Sequence, residues 1–118
     1  EVMMVAEDPG LYTSYFEGLI GKNCVTEHDS GLTIDTGSSV INVIRHGELY
    51  ERFLGAPNIS DGDTRMIGYG IHVKDIETTE KVIQASGINY QRRGKSLWFS
   101  APETSNVIIE FSETPAVI

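Results

Sequence analysis

Glu110 breaks the apolar run Val107-Ile108-Ile109-Glu110-Phe111, so in a strand its side chain points the way that of Ile108 does. A carboxyl among apolar neighbours holds its proton more tightly, and such a group can serve as a general base. A carboxylate that faces solvent, or that is satisfied by a hydrogen bond, fits the same pattern, and the sequence leaves both readings open. His72 is the one histidine inside the apolar-patterned stretch 66–74. It can orient a substrate or shuttle a proton, or it can be a satisfied polar group and nothing more. His28 and His46 fall near strand ends and turns. The three histidines stand 18 and 26 residues apart, which matches no zinc spacing.

Other chemistry-bearing residues carry weaker signals. Cys24 has only Lys22 nearby to lower its pKa, which suits a buried, inert thiol. Gly68-Tyr69-Gly70 lies within a strand and opens no helix, so it is not a dinucleotide-binding turn. Glycine at Gly68 and Gly70 leaves room for a ligand or for a close strand. The basic cluster Gln91-Arg92-Arg93-Gly94-Lys95 reads as a solvated hairpin turn able to grip a ligand carboxylate or phosphate. Trp98 and Phe99 face opposite ways, so one packs inside while the other is free to line a cavity or a partner surface.

The chain that must position these groups has 118 residues, enough for one domain. Hydrophobic residues make up 40% and charged residues 22%, a globular balance rather than a disordered one. Nine basic residues against 17 acidic ones give a net charge of −8, which argues against nucleic-acid and membrane partners. No apolar run is long enough to cross a bilayer. A single cysteine allows no internal disulfide and suits a reduced setting, so the expected location is cytoplasmic. Glu1 opens directly into a strand pattern, as expected of an excised domain or part of a longer chain.

Periodicity divides the chain into two similar halves. The first has a strand at 1–7, a turn at Asp8-Pro9 where Asp8 caps and Pro9 takes the first helical position, a helix through Leu11, Tyr15, Phe16, Leu19 and Ile20 that stops at Gly21, and strands at 23–28, 32–35 and 40–45. The second repeats the order, with a strand at 66–74, Asp75 as helix cap, one helix face of Ile76, Thr79, Val82 and Ile83 ending at Gly87, and strands at 88–91, 97–100 and 107–111. Aligning Asp8 with Asp75 superposes the halves at an offset of 67 residues. The reading is βαβββ-βαβββ: module one 1–46, a linker 47–63 with a short helix at 48–54, module two 64–113 and a tail 114–118.

This duplicated order, with the hairpin ending in Phe99-Ser100-Ala101-Pro102 and the strand Val107-Ile108-Ile109-Glu110-Phe111, resembles the glyoxalase-like, or vicinal oxygen chelate, superfamily. The resemblance implies an α+β fold in which two βαβββ modules form a curved eight-stranded mixed sheet around a cup for a small molecule. Ala101 stands where the family's Phe-x-Asp-Pro turn has Asp, which marks a divergent member. Metal-using members take one ligand from each of the first, fourth, fifth and eighth strands, and carried over these slots fall on Glu1, Asn42, Gly68 and Glu110. Gly68 has no side chain and a neutral amide is a poor ligand for a transition metal, so no metal is expected.

What the resemblance implies for function is small-molecule binding in the cup without metal or other cofactor, as the partner domain of an enzyme or as a sequestering module. Glu110 and His72 are the catalytic candidates, and Met3, Asn42, Gly68, Gly70 and Trp98 the ligand-binding ones. A metal-dependent lyase, isomerase or dioxygenase completed by another chain or an N-terminal half is the first alternative. A purely structural pairing domain is the second. The protein partner expected is a second copy or a sister domain of the same chain.

Overall fold

The apolar alternation at the start of the chain becomes strand β1, Val2–Ala6, in a computed structural model that describes residues 1–54, 56, 64–100 and 107–113. A 3-10 turn at Pro9–Tyr12 leads into helix α1, Thr13–Ile20, which stops at Gly21. A second 3-10 turn at Lys22–Cys24 precedes β2, Val25–His28, followed by β3, Gly31–Asp35, and β4, Val40–Arg45. Helix α2, His46–Arg52, lies in the linker. The second module runs β5, Arg65–His72; α3, Ile76–Ser86; β6, Gln91–Arg93; β7, Ser96–Phe99; and β8, Ile108–Ser112.

The eight strands form one sheet in the order β2-β3-β4-β1-β5-β8-β7-β6. Its two halves mirror each other about the antiparallel β1–β5 pair, and each module joins its first and last strands in parallel, β1 to β4 and β5 to β8. The duplicated order expected from the sequence is the observed topology. Helix α1 packs Phe16 against Ala6, Leu32, Ile34 and Val43, and α3 packs Ile76 and Ile83 against Leu97 and Phe99. Both helices therefore cover the outer face of their own module.

Several local expectations are corrected. Asp75 does cap α3: its Oδ1 accepts from the Glu77 N–H at 3.0 Å and its Oδ2 from the Thr78 hydroxyl at 2.8 Å. The Thr78 hydroxyl, with help from the Glu77 N–H, holds the Asp75 carboxyl below its ordinary range. Asp8 makes no side-chain cap, because Pro9 starts a 3-10 turn and α1 begins only at Thr13, out of its reach. Val82 stays exposed while Ile83 is buried, as the 100° turn between neighbouring residues requires. The strand expected at 88–91 begins at Gln91. Ile88 and Tyr90 pack instead against the α3 cluster, and the Tyr90 hydroxyl donates to Glu80 at 2.8 Å. The helices also leave Tyr69 and Ile71 exposed over the central strands. Ala101-Pro102, most of the linker beyond Leu54 and the tail lie outside the described residues. No helix among the described residues is long and apolar enough to cross a membrane.

Candidate functional site

Strand alternation sends Glu1, Met3 and Val5 to the face away from α1 and α3, together with Asn42 and Ile44 of β4, Trp98 of β7, and Ile108 and Glu110 of β8. A bulge opposite Met3 and Met4 turns Ile67 to this face as well. Helix α2 then covers one end of it. Leu49 and Phe53, four residues apart, lie on one side of the helix and bury Met3, Val5, Ile44, Ile67, Trp98 and Ile108 beneath them. Phe53 meets Trp98 edge to face with ring centres 5.6 Å apart, and the Trp98 Nε1–H donates to the Leu54 carbonyl at 3.0 Å. This end is core.

Arg52, the last residue of α2, marks where the core stops. Its guanidinium stacks on the Phe53 ring at 4.7 Å, and its Nη2 donates to Glu1 Oε1 at 2.8 Å and Glu110 Oε1 at 3.1 Å. Burial on its own would lower the arginine pKa. The hydrogen bond and charge of Glu1, then those of Glu110, outweigh burial and hold it above its ordinary value. The other carboxylate oxygens are also taken: Asn42 Nδ2 donates to Glu1 Oε2 at 2.5 Å and Ser96 Oγ to Glu110 Oε2 at 2.7 Å. Glu110 is therefore the hydrogen-bonded carboxylate of the two readings left open by the sequence, and not an isolated buried acid.

Beyond Arg52 the concave face opens as a cleft of about 910 Å³. Asn42, Gly70, His72 and Glu110 line it. Met3, Gly68 and Trp98 do not share that cleft. Met3 and Trp98 lie on the correct face but beneath α2, and Gly68 is pressed against β8, where a Cβ would stand 2.3 Å from the Ile108 carbonyl oxygen. The β5 position level with the two glutamates is Gly70, not Gly68: it pairs with Glu110, and its N–H donates to the Glu1 carbonyl at 2.8 Å. A Cβ there would lie 3.0 Å from Glu1 Oε1 and 3.6 Å from Glu110 Oε1. His72 sits exposed at the rim, its Nε2 2.8 Å from the Glu113 carbonyl.

Comparison of the sequence with family models and with curated proteins finds no match. Comparison of the folds does. Methylmalonyl-CoA epimerase from Mycobacterium tuberculosis superposes with a TM-score of 0.64 at 14% identity, over 98% of this chain and 86% of that one. A Bacillus halodurans C-125 protein described only as hypothetical gives 0.64 at 13% identity, over 99% and 94%. The chain has the glyoxalase-like fold. At such identity the likeness shows the architecture alone.

Sequence reasoning missed Arg52, which lies in the linker, and the hydroxyl partners Thr33 and Ser96. The available signal for Arg52 was the pattern Leu49, Arg52, Phe53, a cation beside the apolar face of a short helix. The two arginines of the basic cluster make contacts within the chain. Arg92 binds Glu77 and Glu80, both at 2.7 Å, and Arg93 stacks on Trp98 at 5.5 Å while donating to the Glu51 carbonyl.

Proposed function

We propose that this glyoxalase-like domain binds a small molecule in the open cleft, with the Arg52 guanidinium standing where metal-using relatives of the fold hold an ion. The observation that carries the reading is Arg52 bridging Glu1 and Glu110. The donor set does not fit a divalent metal: two carboxylates already joined by a cation, the amide of Asn42, and Gly70 with no side chain at all. Among the described residues no three His, Cys, Asp or Glu side chains are grouped to hold one. A guanidinium holds the two carboxylates in place without opening a coordination site, which leaves the rest of the cleft to the ligand. The domain acts as the partner domain of an enzyme or as a sequestering module.

The test is elemental analysis of protein purified without chelator, paired with thermal-shift screening of small polar molecules. The expected result is no stoichiometric metal and at least one molecule whose stabilisation is lost in Glu110→Gln. Stoichiometric zinc, nickel, iron or manganese that disappears on mutating Glu110 overturns the reading and restores a metal-dependent enzyme.

A further inference from the structure

The hydrogen bonds that hold Glu1 run on, away from Arg52, to a histidine at the far side of the cleft, and their directions are fixed by chemistry. A carboxylate only accepts, so the Asn42 amide must turn its NH2 toward Glu1 Oε2. Asn42 Oδ1 then faces Thr33, whose hydroxyl donates to it at 2.6 Å. That hydroxyl has one proton, now spent, so Thr33 Oγ1 can only accept from His28 Nε2, 2.8 Å away. His28 must therefore carry its proton on Nε2. In the neutral ring this leaves Nδ1 as a lone-pair acceptor, and of the two ring nitrogens only Nε2 has a hydrogen-bond partner among the described residues.

We infer that His28, which lines the cleft, is a ligand-binding residue: its Nδ1 accepts a hydrogen bond from a hydroxyl or other neutral donor on the bound molecule, and Thr33, Asn42 and Glu1 are the positioning residues that lock its tautomer. The inference rests on the small-molecule reading of the cleft. It adds a polarity to that reading. Glu48 and Glu51 also line the cleft and offer acceptors besides His28 Nδ1. Molecules that offer donors are preferred over close analogues that lack them.

Histidine-selective 15N NMR of the whole chain in mildly alkaline buffer tests the lock without any ligand. The expected spectrum has His28 as the Nε2–H form with an unprotonated Nδ1. Thr33→Val should give a mixture of tautomers, Thr33→Ser should keep the wild-type pattern, and Asn42→Leu, which frees the Thr33 proton to turn toward His28, should bring out the Nδ1–H form. An Nδ1–H ring in the wild type, or a His28 indifferent to Thr33→Val in a folded variant, overturns the inference.

The probes for binding are phenol and anisole, which share a shape and differ by one donor. Phenol should move the His28 Nδ1 resonance and anisole should not, and His28→Leu should weaken phenol by roughly fivefold, the worth of one neutral hydrogen bond. Phenol bound in the cleft with His28 unmoved overturns the His28 assignment and leaves the cleft reading standing. Failure of phenol and of every screened molecule to bind counts against the cleft reading, whereas the tautomer spectrum is unaffected by it.

Discussion

The two ends of the concave face are built on the same strands and have opposite fates. At one end Met3, Val5, Trp98 and Ile108 are sealed by Leu49 and Phe53; at the other, Glu1, Asn42, Gly70 and Glu110 line an open cleft. The change happens between two consecutive residues of one segment, Arg52 and Phe53. The lesson is that the linker, and not the sheet, decides how much of the cup remains. An aromatic ring converts cup into core, and the cation beside it neutralises the first two acids past the boundary.

Phe53→Ala gives the largest expected effect. Removing a ring buried against Trp98 should cost about 3–5 kcal/mol in urea denaturation, with transfer and cavity terms acting together. A cost near that of a surface substitution would mean that α2 is not part of the core, and the contrast between the ends would fail.

The two glycines of β5 sharpen the contrast, since they differ by two residues and fall on either side of the boundary. At Gly68 a new Cβ meets backbone, the Ile108 carbonyl, which moves only if β8 moves. Gly68→Ala should destabilise by about 1–3 kcal/mol in the same assay, the usual cost of overpacking. An unchanged midpoint would show β5 and β8 to be looser than their register implies.

Arg52→Met comes next. The side chain keeps an apolar stem but loses the guanidinium that stacks on Phe53, and it leaves two carboxylates, 7% and 12% exposed, without their cation. Full burial would make that loss severe, but Arg52 is 35% exposed and solvent screens part of it. The expected cost is about 1–2 kcal/mol at neutral pH, midway between surface and buried pairs.

How much of this was legible in the sequence follows the same boundary. The modules could be read because a β-strand and an amphipathic helix each write their burial as a period, and the two halves write it twice, from Val2–Ala6 to Ile108–Ser112. Glu110 stood out as a charge inside an apolar strand. What could not be read was anything set by a distant segment. Trp98 and Met3 were assigned the correct face, but nothing in their own strands says that α2 covers them. Ile67 changes face through a bulge that depends on its pairing with β1, and alternation alone places it outside. Asp8 and Asp75 look alike in sequence; whether an aspartate caps depends on where the first helical turn begins.

Gly70→Ala should have the smallest effect on stability and the most specific effect on binding. The added methyl meets the ends of two side chains, 3.0 Å from Glu1 Oε1 and 3.6 Å from Glu110 Oε1, and side-chain ends retreat by a few tenths of an ångström at little cost. The urea midpoint should therefore move by less than about 0.5 kcal/mol, as at an ordinary surface site. Yet the methyl stands on the floor of the cleft between the two glutamates, so affinity for a molecule found by thermal-shift screening should fall about tenfold, the scale of one methyl clash in a fitted pocket. Calorimetric titration of that molecule into the variant reads the loss directly. Unchanged affinity would place the ligand away from the Glu1–Glu110 pair. A large loss of stability instead would mean that the open end is as tightly packed as the sealed one, and the difference between Gly68 and Gly70 would vanish.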